Sequence, residues 1–146
     1  MSEVWIRAAH FVAIILMASS LFGEHLLLRR EMAAAEMHRL AKIDALYGLS
    51  AIAVAGLGGL LWLGGVGKPS GFYSGNPVFH AKLSLFVFIA LLSIYPTVFF
   101  LRHRRTHAER VAVPRAVVLS VRVQLACLCL MPVLAVVMAR GIGFPH

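Results

Sequence analysis

Apolar and charged positions fall in blocks along this chain rather than on the alternating faces of amphipathic elements. Four long greasy runs, about Trp5 to Leu28, Asp44 to Gly65, Val78 to Leu101 and Arg115 to Ala139, are separated by stretches that hold most of the charge. Each run is roughly 22–25 residues, enough to cross a hydrocarbon core of about 30 Å at 1.5 Å per residue. Lipid offers the backbone no hydrogen-bond partner, so such runs must be helices that satisfy their own N–H and C=O groups. Short connections predict antiparallel neighbours. The expected fold class is all-α, a single integral membrane domain built as a four-helix up-down bundle over residues 1–146.

Charge orients the bundle. The first connection carries Arg29, Arg30, Arg39 and Lys42, and the third carries Arg102, Arg104, Arg105, Arg110 and Arg115. The second has only Lys68, and the ends contribute Arg7 and Arg140. The positive-inside rule puts connections one and three in the cytoplasm and both termini outside it. The first run is too long for a signal-peptide core and continues into Arg29-Arg30, so it reads as an uncleaved span.

Composition sharpens this without changing it. Of 146 residues, 60% are hydrophobic and 14% charged, a balance that excludes a soluble domain of this size. The formal charge of +8 does not indicate nucleic acid, because the basic residues flank apolar spans and show no interleaving with aromatics. Contact with the lipid bilayer and its anionic headgroups explains them. Cys127 and Cys129, two apart in the last run, point to nearly opposite helix faces and read as structural thiols.

Packing signals are local. Gly48, Ala51, Ala55 and Gly59 form a small-residue stripe that predicts close approach of a neighbouring helix. The second connection, Gly64 to Pro77, is dense in turn formers, with Phe72 and Tyr73 as interfacial anchors. Asn76 and Pro77 predict the cap and first turn of the third span. Phe86, Phe88, Phe99 and Phe100 read as an exposed aromatic run.

The candidate chemistry lies in ionisable residues inside the spans, where an unpaired charge is expensive. By depth they form two layers. His10, His80 and Lys82 lie in the outer half; Glu24, His25, Asp44, Tyr47, Tyr95 and Arg122 lie in the inner half. His10, Met17 and Glu24 are seven residues apart, drifting about 20° per step, so they share one face that must look into the bundle. His80 and Lys82 are about 200° apart on their helix. The reading adopted turns His80 inward and lets Lys82 snorkel to the interface. In the inner layer, Glu24 and Arg122 are expected to form a structural ion pair, and Asp44 to sit on the positive end of the second helix's dipole.

Two histidines from different helices at one depth, against Phe, Leu and Met, are what haem b requires, with His10 and His80 as axial ligands to the iron. A copper site from His10, His80 and Met17, or one axial histidine on a bacteriochlorophyll magnesium, is also chemically permissible.

Some of these residues resemble a known family. Ala9-His10-Phe11-Val12-Ala13-Ile14, followed by Ala18-Ser19-Ser20-Leu21-Phe22, resembles the first helix of the four-helix bacterial protoporphyrinogen oxidases. His80-Ala81-Lys82-Leu83 resembles the same family's His-x-Lys-Leu at the head of its third helix. Asn76-Pro77 through Arg102, with Ser93-Ile94-Tyr95-Pro96-Thr97, looks closer still to an uncharacterised family of four-span bacterial membrane proteins. That group is similar at a distance to the oxidases and to the copper-resistance D membrane proteins. The resemblance implies haem b binding through His10 and a functional role for Lys82. The oxidase family's Tyr-His is Tyr95-Pro96 here, and its Leu-Pro-Arg is replaced by Gly23-Glu24-His25, which argues against porphyrinogen oxidation itself.

Two functions therefore stand at this point. One is a small haem b-binding membrane protein with an electron-transfer role, its site made by His10, His80 and Lys82. The other is a non-catalytic accessory subunit of a larger respiratory or photosynthetic membrane complex. A transporter fits poorly, since four short helices without broken segments offer little for alternating access.

Overall fold

A computed structural model describes residues 2–142. Four long helices carry the fold: α1 (Ser2–Leu27), α2 (Ala34–Leu63), α4 (Pro77–His103) and α5 (Arg115–Ala139). A single-turn helix, α3 (Ser70–Ser74), lies between α2 and α4. Two short strands, β1 (Glu31–Ala33) and β2 (Arg110–Ala112), close the opposite end. All four long helices are long and apolar enough to cross a membrane. Packing links α1 to α2, α2 to α4, α4 to α5 and α5 back to α1, so the bundle is a square ring with α2 and α5 on one diagonal.

The helix boundaries follow from local chemistry. Val78 N–H donates to the Asn76 side chain at 2.8 Å, and Pro77 opens α4, as the sequence predicts. The second helix begins ten residues before the expected Asp44. Its first three turns, Ala34 to Ile43, read as a charged connection in sequence, yet Met37, Leu40, Ala41 and Asp44 recur at helical spacing and are buried. Ala33 N–H donates to Glu36 Oε2 at 2.8 Å and satisfies one of the orphan donors at this end. Asp44 therefore lies three turns inside α2 and takes no part in its terminal dipole.

Antiparallel pairing of Glu31 with Ala112, Met32 with Val111 and Ala33 with Arg110 ties the connection after α1 to the connection after α4. Met32 and Val111 point inward and pack with Met37, Leu40, Phe100, Val113 and Val117. This apolar lid closes the ribbon end of the bundle. The expected exposed aromatic run is not one: Phe100 is fully buried in the lid, Phe86 and Phe99 are half-buried, and only Phe88 is exposed. At the opposite end, Trp62 packs on Phe79 and Tyr73 on the same ring, with centroids 4.9 and 5.6 Å apart. Gly65, at φ 63°, turns the chain out of α2 in a conformation side chains resist.

Of the small-residue stripe of α2, Ala51 packs against the core, but the glycines seat no neighbouring helix. A side chain at Gly48 or Gly59 would meet nothing within 4 Å. Gly48 and Ala51 instead help hollow a groove of about 340 Å³ between α2 and α4, lined also by Met17, Tyr47, Ser93 and Thr97. The close approach on α2 occurs one residue off the stripe, at Gly58.

Candidate functional site

Two polar layers occupy the bundle interior, one towards the termini and one towards the ribbon. His10 and Lys82 fall in one layer and Glu24 and Tyr47 in the other, as the sequence spacing expects; the pairings within the layers do not follow it.

The layer towards the termini is built on His10. Its ring is half-buried between α1 and α2, and a Cβ at Gly58 would stand 3.2 Å from the His10 Cε1. Only glycine leaves room for the imidazole there without displacing it. His10 also meets the backbone of Val54, one turn before Gly58. Its Nδ1 is buried and has no hydrogen-bond partner. Lys82 from α4 and Arg7 are its charged neighbours among the described residues.

His80 and Lys82 are placed the other way round from the sequence expectation. His80 is exposed at the rim, its Nε2 2.8 Å from the Ser74 carbonyl oxygen. Lys82 is half-buried and faces His10. The inward stripe of α4 contains Ile89, Pro96 and Phe100, and Lys82 precedes Ile89 by seven residues, which keeps it on that face. His80, two residues earlier, is turned away, and α3 offers it a carbonyl. His10 and His80 therefore do not converge as two axial ligands. Among the described residues no three His, Cys, Asp or Glu side chains gather as a metal site.

The layer towards the ribbon draws a polar side chain from every long helix. Glu24 comes from α1, Asp44 and Tyr47 from α2, Thr97 from α4 and Gln124 from α5. The Thr97 hydroxyl donates to Asp44 Oδ1 at 2.9 Å, and the Tyr47 hydroxyl donates to Gln124 Oε1 at 3.1 Å. The second bond crosses the diagonal of the ring. Glu24 is 1% exposed, faces Asp44 and Tyr47, and its Oε1 has no partner.

The expected Glu24–Arg122 ion pair is absent. Arg122 is exposed, because the inward stripe of α5 is Val117, Val121, Gln124 and Leu128, and position 122 lies about 100° off Val121. Among the described residues the ion pairs are Arg7 with Glu3 and Arg110 with Glu31, both at the bundle ends. Gln124 and Gly58 were not singled out in sequence, and Thr97 entered only as the last residue of the Ser93–Thr97 motif. Gln124 carried a usable signal, a lone amide within an apolar run, which lipid obliges to find a partner. Cys127 is half-buried and Cys129 exposed; both thiols are free.

Residues 2–143 match the family described as predicted membrane protein (DUF2214). No curated protein and no solved structure matches.

Proposed function

We propose that this chain, which belongs to the DUF2214 family of predicted membrane proteins, is a multi-pass protein of the bacterial inner membrane that binds haem b through His10 and serves electron transfer. The observation that carries the reading is the buried, unpartnered Nδ1 of His10, held against Gly58 and beside Lys82. A neutral imidazole keeps one nitrogen lone pair, and that is what an axial position on haem iron takes. Bound there, haem supplies a one-electron redox centre.

The chain's own contributions are separable. Gly58 holds the ring in place by lacking a side chain, and the Lys82 ammonium gives a haem propionate a counter-charge. His80 is committed to Ser74 at the rim, so a single histidine ligand is the form this site supports. The α2–α4 groove is lined by other residues and is not part of this site. The resemblance noted around His10 and Lys82 points to the same pair. By the positive-inside rule, the arginines beside the ribbon support a cytoplasmic position for that end, with the His10 layer in the outer half.

The test is an absorption spectrum of the full chain, purified in mild detergent and titrated with haem b. A Soret band and a reduced α-band are expected, with both lost in His10→Ala and retained in His80→Ala. A wild-type protein that stays spectrally silent after haem addition sinks the reading. Bands that persist in His10→Ala assign the ligand elsewhere.

A further inference from the structure

We infer that Glu24 and Asp44 form a buried proton-binding site, the two carboxyl groups holding at least one proton between them when the surrounding water is neutral. This site lies at the opposite end of the bundle from His10, and it stands independently of any cofactor there.

The argument starts from hydrogen-bond accounting. Two hydroxyl donors reach this layer, and both are spent: Thr97 donates to Asp44, and Tyr47 donates to Gln124. Glu24, 1% exposed, receives neither, and its Oε1 is left bare. Its titratable neighbours are Asp44 and Tyr47, both from α2. Glu24 itself is the α1 contribution, while α4 and α5 supply Thr97 and Gln124, which do not ionise. Neither carboxyl group is in an ion pair.

Two ionised carboxylates in one another's field in an apolar interior, with Glu24 Oε1 left bare, would combine desolvation with like-charge repulsion. A proton on either removes one charge and turns a carboxylate oxygen into an O–H donor. A hard cation is the other way to neutralise them, but these are two acids without a third, and such ions take six or more oxygens. The proton is the ligand that fits.

Tyr47 and Thr97, the residues bonded to Gln124 and Asp44, form part of the lining of the 340 Å³ groove between α2 and α4. The site thus lies just behind the polar part of an open groove. Reversible transfer leaves a carboxylate when the proton departs to water and a carboxylic acid when it returns.

The chain makes the experiment clean, since its other acidic residues, Glu3, Glu31, Glu36 and Glu109, are exposed or half-exposed. Infrared spectra of the full-length protein in lipid at neutral pH should show a carboxylic-acid C=O stretch that shifts in D2O. The band should be lost or at least halved in Glu24→Gln or in Asp44→Asn, and it should survive addition of Na⁺ or Mg²⁺. No such band in the wild type, or a band intact in both variants, overturns the proposal. A band erased by Na⁺ or Mg²⁺ also overturns it and makes this a cation site. Should neither variant fold, dicyclohexylcarbodiimide, which attacks protonated carboxyls in apolar surroundings, is applied to the wild type and the adduct located by peptide mass spectrometry. Adducts on Glu24 or Asp44 support the site; adducts confined to the other four acids refute it.

Discussion

Removing the Tyr47 hydroxyl tests whether the bundle is held across its diagonal. In Tyr47→Phe the ring stays and only the 3.1 Å bond to Gln124 Oε1 is lost. Gln124 is 1% exposed, so its carbonyl is then left without a donor in a place water does not reach. An unsatisfied buried polar group costs about 1–3 kcal/mol, whereas interhelical hydrogen bonds measured in membranes average ~0.6 and reach ~1.7 kcal/mol. The burial of both partners argues for the upper part of the membrane range, so the expected loss is about 1–1.5 kcal/mol. Gln124→Leu should cost a similar amount, by stranding the Tyr47 hydroxyl. The double variant removes donor and acceptor together, and its cost should fall short of the sum by about 1 kcal/mol. Equilibrium unfolding in mixed detergent and SDS, followed by helical circular dichroism, measures all four corners of the cycle. A coupling within about 0.3 kcal/mol of zero, the ordinary error of additivity, would falsify the contact.

Other consequences are simpler. Phe100→Ala empties the centre of the ribbon-end lid and should cost about 3–5 kcal/mol in the same unfolding assay; a loss below ~1 kcal/mol would mean the lid is not packed as described. Arg122→Gln should change stability by no more than about 0.5 kcal/mol, because no buried acid depends on it; a loss of several kcal/mol would restore the ion pair with Glu24. Gly58→Leu drives a side chain into the His10 ring, where even a Cβ would stand at 3.2 Å, and should weaken haem uptake at least tenfold, about 1.4 kcal/mol. Uptake equal to wild type would separate Gly58 from the site. A periplasm-active reporter fused after Arg140 should be active and one inserted between Arg104 and Arg105 silent; the reverse pattern inverts the topology.

The number of long apolar helices, the helical class and the separation of His10 and Lys82 from Glu24 and Tyr47 were legible in the amino-acid sequence. They depend on one-dimensional quantities: the length of an apolar run, the distance of a residue from its end, and the demand that a backbone in lipid bond to itself. The inward face of α1 was legible too, since Met17 and Glu24 are both buried and repeat at seven residues with His10. Rotation of the other helices was not, because a helix that is apolar nearly all round carries little record of which stripe meets its neighbours. Ile89, Pro96 and Phe100 turn Lys82 inward and His80 out; Val117, Val121 and Leu128 bring Gln124 inside and leave Arg122 at the surface. The first three turns of α2 were hidden for a different reason. Four basic side chains there and just before, Arg29, Arg30, Arg39 and Lys42, obey topology, while Met37, Leu40 and Ala41 answer to a lid that exists only once β1 and β2 have paired. What tertiary structure alone decided was partnership: Glu24 meets Asp44 rather than Arg122, and His10 meets Gly58 and Lys82 rather than His80. Depth is a property of each helix, but partnership depends on how four of them are turned.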